Sequence, residues 1–108
     1  MATAYKILGQ TVVSSADTDT TLYSVPALTS AVVSSIVACN IGATERTFRI
    51  AVRNAAIGNK HYLYYDVPIP ANDTFVFTGG VTMEASSVIT VRANHVDVVF
   101  SCFGSEIS

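Results

Sequence analysis

The chain has 108 residues and a mass of 11.4 kDa, a size for which we expect one domain spanning residues 1–108. Half of the residues are hydrophobic and 13% are charged, which excludes a disordered polyelectrolyte because such chains combine low hydrophobicity with high charge. The formal net charge of −2 and the pI near 5.4 argue against nucleic acid as a partner, since a general nucleic-acid binder needs a basic surface.

Segments rich in Val, Ile, Thr, Tyr and Phe recur along the chain, whereas the three-and-four spacing of an amphipathic helix is absent. Eight such segments predict strands: Tyr5–Leu8, Thr20–Val25, Ala31–Asn40, Thr47–Arg53, His61–Tyr65, Thr74–Thr78, Val88–Ala93 and Val96–Phe103. Eight short strands at this spacing predict an all-β fold, a single antiparallel β-sandwich of jelly-roll or immunoglobulin-like topology.

Prolines predict where two of these strands end. Pro26 has no backbone N–H and holds the preceding residue extended, so we expect the second strand to end there. Pro68 and Pro70 are expected to end the fifth strand in the same way.

Turn residues predict three tight connections. Asn40–Ala43 lies between two apolar segments, and Gly42 is free to take a positive φ there. Ala71–Asp73 predicts a second turn. Asn94–His95 predicts a two-residue hairpin between the last two strands, with Asn94 in a left-handed conformation.

Alternation along Thr47–Arg53 predicts a sheet with one wet face. Phe48 and Ile50 point to the core, and Arg49 and Arg53 lie on the opposite, basic face. These arginines are candidates for contacts with carboxylates of an adjoining protein.

Two strands are apolar on both sides, the segment Ala31–Cys39 and the last strand, whose second face carries Val99 and Phe103. We expect both strands to lie centrally in a sheet or against a neighbouring subunit. Cys39 and Cys102 are too few and too far apart for a disulfide framework or a zinc site. They are interpreted as two buried free thiols, which lie close together if their strands are adjacent.

The segment HYLYYD places His61, Tyr62, Tyr64 and Tyr65 next to one another. Aromatic residues are enriched in protein interfaces, although they are also ordinary core residues. The candidate interface residues are therefore His61, Tyr62, Tyr64, Tyr65, Arg49, Arg53, Val99 and Phe103.

No motif in the sequence predicts catalysis or a bound cofactor. The residues His61, His95, Asp66 and Asp97 exist alongside many serines, but no serine lies in a nucleophile elbow. No short ligand spacing predicts a metal, and the Asp17–Asp19 segment has too few oxygens for a calcium loop. We therefore expect a protein that is not an enzyme, without catalytic, cofactor-binding or metal-binding residues.

The N-terminal residues lack the continuous apolar run of a signal peptide, and Ala31–Cys39 is too short and too interrupted to cross a bilayer. We expect neither secretion nor a membrane partner.

Four segments of the sequence carry a resemblance to a known group of proteins. The segments are YKILGQ, TLYSVPALTSAVVSSIVACNIGATERTFRIAVR, NKHYLYYDVPIPANDTFVF and VITVRANHVDVVFSCFGSEIS, and the most distinctive pieces are Leu22–Ala27, TFRIAVR, DVPIPANDT and FGSEIS. Over essentially its whole length the sequence resembles small virion structural proteins of tailed bacteriophages, a group familiar from phages of cyanobacteria and other marine bacteria. The resemblance implies a β-sandwich without enzymatic activity that is assembled in the bacterial host cytoplasm and carried in the virion.

Two hypotheses follow. In the first, the chain forms a homo-oligomer, with a trimer or hexamer favoured, and docks on tail, neck or baseplate proteins, or decorates the major capsid protein as a cement protein. In the second, it is a receptor- or glycan-binding module of a phage fibre, with His61, Tyr62, Tyr64 and Tyr65 as a stacking platform.

Overall fold

In the computed structural model of the chain, which describes residues 3–55 and 58–108, nine strands form two antiparallel sheets that pack face to face. The strands are β1 Thr3–Val12, β2 Thr20–Ser24, β3 Ser30–Asn40, β4 Arg46–Arg53, β5 His61–Ile69, β6 Thr74–Phe77, β7 Val81–Met83, β8 Val88–Ala93 and β9 Val98–Ile107. The prediction of an all-β sandwich is confirmed, and short β7 is the strand that the sequence pattern missed. Residues 1, 2, 56 and 57, which the predicted domain includes, lie outside the described residues.

The strand order distinguishes between the two expected topologies. One sheet has the order β1-β9-β3-β6, with β7 also paired to β3, and the other has the order β2-β8-β4-β5. The pairs β1–β9, β2–β8, β3–β6 and β4–β5 are those of one long antiparallel hairpin wound around the sandwich. This arrangement is a jelly roll. An immunoglobulin-like sandwich would place the first two strands side by side in one sheet, whereas β1 and β2 lie in different sheets.

The jelly-roll winding overturns the predicted hairpin at Asn94–His95. β8 belongs to the four-stranded sheet and β9 to the five-stranded sheet, so their connection crosses between the layers, and β9 begins at Val98. The physical reason is burial. Val91 and Phe100 are both fully buried, and they can share one core only if their strands face each other across the sandwich.

The fifth strand also differs from its prediction, because β5 continues through Pro68 to Ile69. A strand at a sheet edge tolerates proline since one side of its backbone has no ladder partner, and β5 is such an edge strand. Asp66 takes a φ of 53° within an irregular part of the β4–β5 register, which bends the strand before the proline. The expected end of the second strand is confirmed, since β2 stops at Ser24.

Glycine 42 is required for space rather than for a positive φ. Gly80 is the glycine with a positive φ in the described chain, so that prediction for Gly42 is wrong. A Cβ at Gly42 would overlap the carboxylate of Asp97, so the missing side chain leaves space for that group. In the Ala71–Asp73 turn the left-handed residue is Asn72, with a φ of 58°.

Phe48 lies at the centre of the core that joins the sheets. Its ring centroid is 5.2 Å from that of Phe75 and 6.2 Å from that of Phe100, both of which belong to the opposite sheet. Ile50 is fully buried beside it, which confirms the predicted inward face of β4.

β3 and β9 are adjacent in the middle of the five-stranded sheet, as expected, but the two cysteines are not core neighbours. Cys102 lies opposite Ile36 and is fully buried, whereas Cys39 lies opposite Val99 and is partly exposed. Cys39 is three residues beyond Ile36, and an odd offset along a strand reverses the face. Cys39 therefore lies on the outer side, where it accepts a hydrogen bond from the Thr74 hydroxyl at 3.4 Å.

The buried amide of Asn40 fixes the end of the sandwich where connections cross between the sheets. Its Nδ2 donates to the carbonyl oxygens of Thr44 at 2.9 Å, Ile69 at 3.1 Å and Pro70 at 3.3 Å. Its Oδ1 accepts from the backbone N–H of Gly42 at 3.0 Å. One side chain thus satisfies backbone groups of the β3–β4 connection and of the end of β5.

We predict that Asn40→Ala lowers the free energy of unfolding by about 3 kcal/mol, because it leaves several buried backbone groups without partners. Urea denaturation monitored by circular dichroism measures the loss. Asn59→Ala, in an exposed loop, is the control and should change stability by no more than about 0.5 kcal/mol. Equal stability of the two variants would contradict this role for Asn40.

The cysteines should differ in reactivity. Burial raises the pKa of the Cys102 thiol to about 11, and its sulfur is out of reach of a reagent. With a thiol-specific chromophoric reagent, native protein should release the equivalent of Cys39 first and that of Cys102 only on unfolding. Cys39→Ser should abolish the native phase, and a native phase that survives this substitution would refute the assignment.

Candidate interaction surfaces

The predicted contact residues fall on two different outer faces. Arg49, Arg53, Tyr62 and Tyr65 lie on the four-stranded sheet, on or beside its solvent side, whereas Val99 and Phe103 lie on the outer side of the five-stranded sheet. His61 begins β5 and is exposed. The residues that the sequence grouped together therefore belong to two surfaces.

Tyr64 packs against the core, unlike Tyr62 and Tyr65 of the same segment. Its ring packs 4.7 Å from Phe75, 5.8 Å from Phe77 and 6.1 Å from Phe48, between centroids. It is part of the core edge, which was the alternative interpretation of these aromatics. Tyr62 and Tyr65 are exposed and contact each other edge to face at 4.9 Å.

The cationic face, defined here by Arg49, Arg53, Lys60 and Arg92 on the outside of the four-stranded sheet, contains four of the six Lys and Arg residues in the chain. Arg49 and Arg92 are direct cross-strand neighbours. Like charges in that position repel each other, so the face needs carboxylates to form.

Asp66 supplies the first carboxylate. Arg49 donates to it through Nε at 2.7 Å and Nη2 at 3.2 Å, a bidentate pair, and the guanidinium also lies 4.0 Å from the ring centroid of Tyr65. The Arg49 guanidinium holds the pKa of Asp66 below its usual range. The left-handed φ of Asp66 places its carboxyl beside Arg49.

Asp19 supplies the second carboxylate and lies near three cations. It accepts from Lys60 Nζ at 2.5 Å, while Arg53 Nη2 and Arg92 Nη1 lie at 3.7 and 3.8 Å. The hydrogen bond from Lys60 is the main cause that lowers the pKa of Asp19, and the same bond raises the pKa of Lys60. A cleft of about 220 Å³ opens beside this cluster, lined by Asp19, Thr20, Thr21, Arg53, Val88 and Thr90.

The sequence pattern does not single out Asp19 or Lys60 as contact residues. Asp19 lies in the β1–β2 connection and Lys60 lies just before β5. Because the two residues are far apart in the sequence, no local pattern predicts the contact between Lys60 Nζ and the Asp19 carboxylate.

The charge of the cationic face is opposite to that of the rest of the chain. Four cations against Asp19 and Asp66 leave +2, and the other two cations against six carboxylates leave −4. Asp17 shares a depression with Arg49 and Arg92 at the rim, and including it leaves the face positive.

The apolar face is the outer side of the five-stranded sheet and contains Tyr5, Ile7, Val12, Val32, Val37, Val76, Val99 and Phe103. Tyr5 is 86% exposed and Val76 is 53% exposed. A shallow groove of about 340 Å³ runs along it between Tyr5, Val32 and Phe103. Several apolar side chains are therefore exposed on one outer side of the sandwich.

Charge is almost absent from the strands that form the apolar face. Lys6 and Glu106 are the charged residues of β1, β3, β6, β7 and β9, and they pair with each other at 2.7 Å. Glu106 also accepts a hydrogen bond from the Tyr23 hydroxyl, and Lys6 is the main cause that lowers the pKa of Glu106. The two charges are therefore compensated within the chain.

The two histidines are not in contact with each other. His61 begins β5 and His95 lies at the opposite end of the sandwich, near the crossing connections, with its Nδ1 3.1 Å from an Asp97 oxygen. Residues 3–55 and 58–108 contain no group of three or more His, Cys, Asp or Glu side chains placed to hold a metal ion. Within the same residues no helix has the length and apolar character that a membrane crossing requires.

Comparisons with known proteins give a fold but no family. No protein-family model matches the sequence, and no curated protein matches it. Among solved structures, a chain in the crystal structure of the T13 particle of infectious bursal disease virus is similar to this one with a TM-score of 0.59 and 9% sequence identity. A chain of the Gx strain of the same virus aligns with a TM-score of 0.49 and 8% identity, over 97% of this chain and 32% of its own.

The alignment with the T13 particle covers 97% of the present chain and 30% of the viral chain, so the present chain spans less than a third of that neighbour. At this level of identity the likeness concerns the fold alone. The protein has the β-sandwich fold of a segment of a chain found in an icosahedral virus particle.

Proposed function

We propose that the chain, as one domain over residues 1–108, is a non-enzymatic structural component of a virion that self-associates through its apolar face. The observation that carries the proposal is an outer sheet face with several exposed apolar side chains and no uncompensated charge. A sheet that is apolar on both sides needs a second layer outside it.

The fold supports the virion role, since a structural neighbour belongs to a virus particle and jelly rolls are common building blocks of viral shells. The resemblance to small virion proteins of tailed bacteriophages supports the finer assignment. On that assignment the chain docks on tail, neck or baseplate proteins, or on the major capsid protein as a decoration, after assembly in the host cytoplasm.

Charge selects the apolar face over the cationic face for contact between identical surfaces. A two-fold contact brings the same patch of both copies together. Two cationic faces would place a net charge of +2 against another of +2, whereas two apolar faces would bring no charge repulsion. Residues Val99 and Phe103 lie within this proposed contact.

The alternative, a glycan-binding fibre module, gains less support from the geometry. Tyr64 packs in the core edge, and the Arg49 guanidinium covers one face of Tyr65. His61 and Tyr62 are left, which is a smaller platform for sugar stacking than four neighbouring rings.

The proposed contact predicts that Val76→Asp dissociates it, because a carboxylate would have to be buried against an apolar surface. Val76 points outward from β6 between Phe75 and Phe77, whose side chains pack on the core, so the fold should be retained. Light scattering coupled to size exclusion in about 0.5 M NaCl, where charge contacts are screened, should give a dimer for the unmodified chain and a monomer for the variant.

Leu28→Asp is the matched control, since Leu28 is 94% exposed and lies in the β2–β3 connection outside the strands. It should remain associated. An unmodified chain that is monomeric at all concentrations would contradict self-association, and equal masses of Val76→Asp and the unmodified chain would contradict the assigned face. Virion location is tested separately: peptides of this chain should occur at constant stoichiometry in gradient-purified particles.

A further inference from the structure

Arg92, a member of the cationic face, has no carboxylate of the described residues within hydrogen-bond distance of its guanidinium. The carboxylate nearest to the Arg92 guanidinium in an ion pair is that of Asp19, at 3.8 Å, which is beyond hydrogen-bond distance. A guanidinium has five N–H donors in a planar fork that fits an incoming carboxylate. The cleft beside Asp19 and the hydroxyls of Thr21 and Thr90 along it leave room for such a group.

A surface of opposite charge to the cationic face lies at the end of the sandwich where Asn40 hydrogen-bonds to the connections. Its amide binds the carbonyl of Thr44, next to Glu45, and its backbone N–H donates to the Asp73 carbonyl at 2.9 Å. The backbone N–H of Ile41 donates to the Asp97 carbonyl at 3.0 Å, which adds the β8–β9 connection to the same end. We call this surface, residues 41–46, 70–73 and 94–97, the acidic end.

Charge and exposure both fit the acidic end to the cationic face. The end contains Glu45, Asp73 and Asp97 against Arg46, which is −2 with His95 neutral. Glu45 and Asp73 are exposed and form no ion pair within the described residues. Ile41 and Val96 are exposed beside them, at 63% and 42%, and provide apolar area.

We propose that the acidic end of one copy docks on the cationic face of the next, with carboxylates approaching Arg92 on the side of Asp19 that adjoins the cleft. The inference rests on the proposed self-association and adds a second contact to it. Because the two surfaces differ, the contact is heterologous and generates a ring or an open chain. A three-membered ring paired two-fold through the apolar faces is a hexamer, one of the two oligomers that the sequence favoured.

The contact between the acidic end and the cationic face and the contact between two apolar faces should respond differently to salt. Exposed ion pairs each contribute little, and they weaken as the Debye length shrinks from about 8 Å at physiological salt. The end-to-face contact should therefore dissociate at high salt, whereas the contact between apolar faces should persist.

A charge-swap experiment tests the proposal. Arg92→Glu and Glu45→Lys should each weaken the low-salt assembly by about tenfold or more in apparent Kd, leaving the salt-resistant species. Mixed in equal amounts, the two variants should restore part of the larger assembly, because each supplies the partner that the other lacks. Native mass spectrometry at low and high ammonium acetate, with light scattering as a check, gives the masses.

Glu84→Lys is the matched control, since Glu84 is exposed in the β7–β8 connection, lies outside the acidic end and has no ion pair in the described chain. It makes the same charge change and should leave the assembly intact. Melting temperatures of all variants establish that they fold.

The outcomes are distinguishable. Monomers of the unmodified chain at every salt concentration would overturn the proposed self-association itself. A salt-resistant oligomer with masses unaffected by Arg92→Glu or Glu45→Lys would overturn only the end-to-face contact, as would a mixture that restores nothing. Binding of a labelled DNA or RNA duplex that is lost in Arg92→Glu would overturn the choice of carboxylate and make the face a phosphate-binding surface.

Discussion

The buried side chain of Asn40 is the interaction on which the rest of the arrangement depends. In a jelly roll, connections must pass from one sheet to the other, and their backbone polar groups leave the ladders where they cross. At that point the two N–H groups of the Asn40 amide are shared among three carbonyls, and its oxygen accepts from one N–H. An aspartate would lack the donors and a leucine would lack both functions. The same residue holds the connections next to Glu45 and Asp73, so one amide supports both the crossing of the connections and the position of an acidic surface.

The two sheets present unlike outer faces because their charges are distributed unequally. The five-stranded sheet has a single compensated ion pair, and its exposed side chains are mainly apolar or hydroxyl-bearing. The four-stranded sheet concentrates most of the cations, which Asp19 and Asp66 hold together. A chain with few charges overall thereby has one outer face that is mainly uncharged and another that carries a net positive charge.

Much of the fold could be predicted from the sequence because period-two alternation is a local signal. The inward positions of Phe48 and Ile50, the central positions of β3 and β9, and the strand end before Pro26 follow from residue types within a few positions. The predictions that were wrong concern residues whose positions depend on parts of the chain that are distant in sequence. Pro68 stays within a strand because β5 is at an edge, Gly42 is needed because Asp97 approaches it, and Cys39 faces outward because of its register against β9. The Asp19 cluster joins residues from separate parts of the chain, so only the folded structure reveals it.

We propose that this sandwich is complete only in an assembly. The native mass of the unmodified chain, measured by mass spectrometry under non-denaturing conditions over a range of concentrations, tests this proposal. We expect a discrete symmetric oligomer that persists on dilution to the low micromolar range and becomes smaller, without reaching the monomer, as salt is raised. A species of 11.4 kDa at every concentration and salt would contradict it.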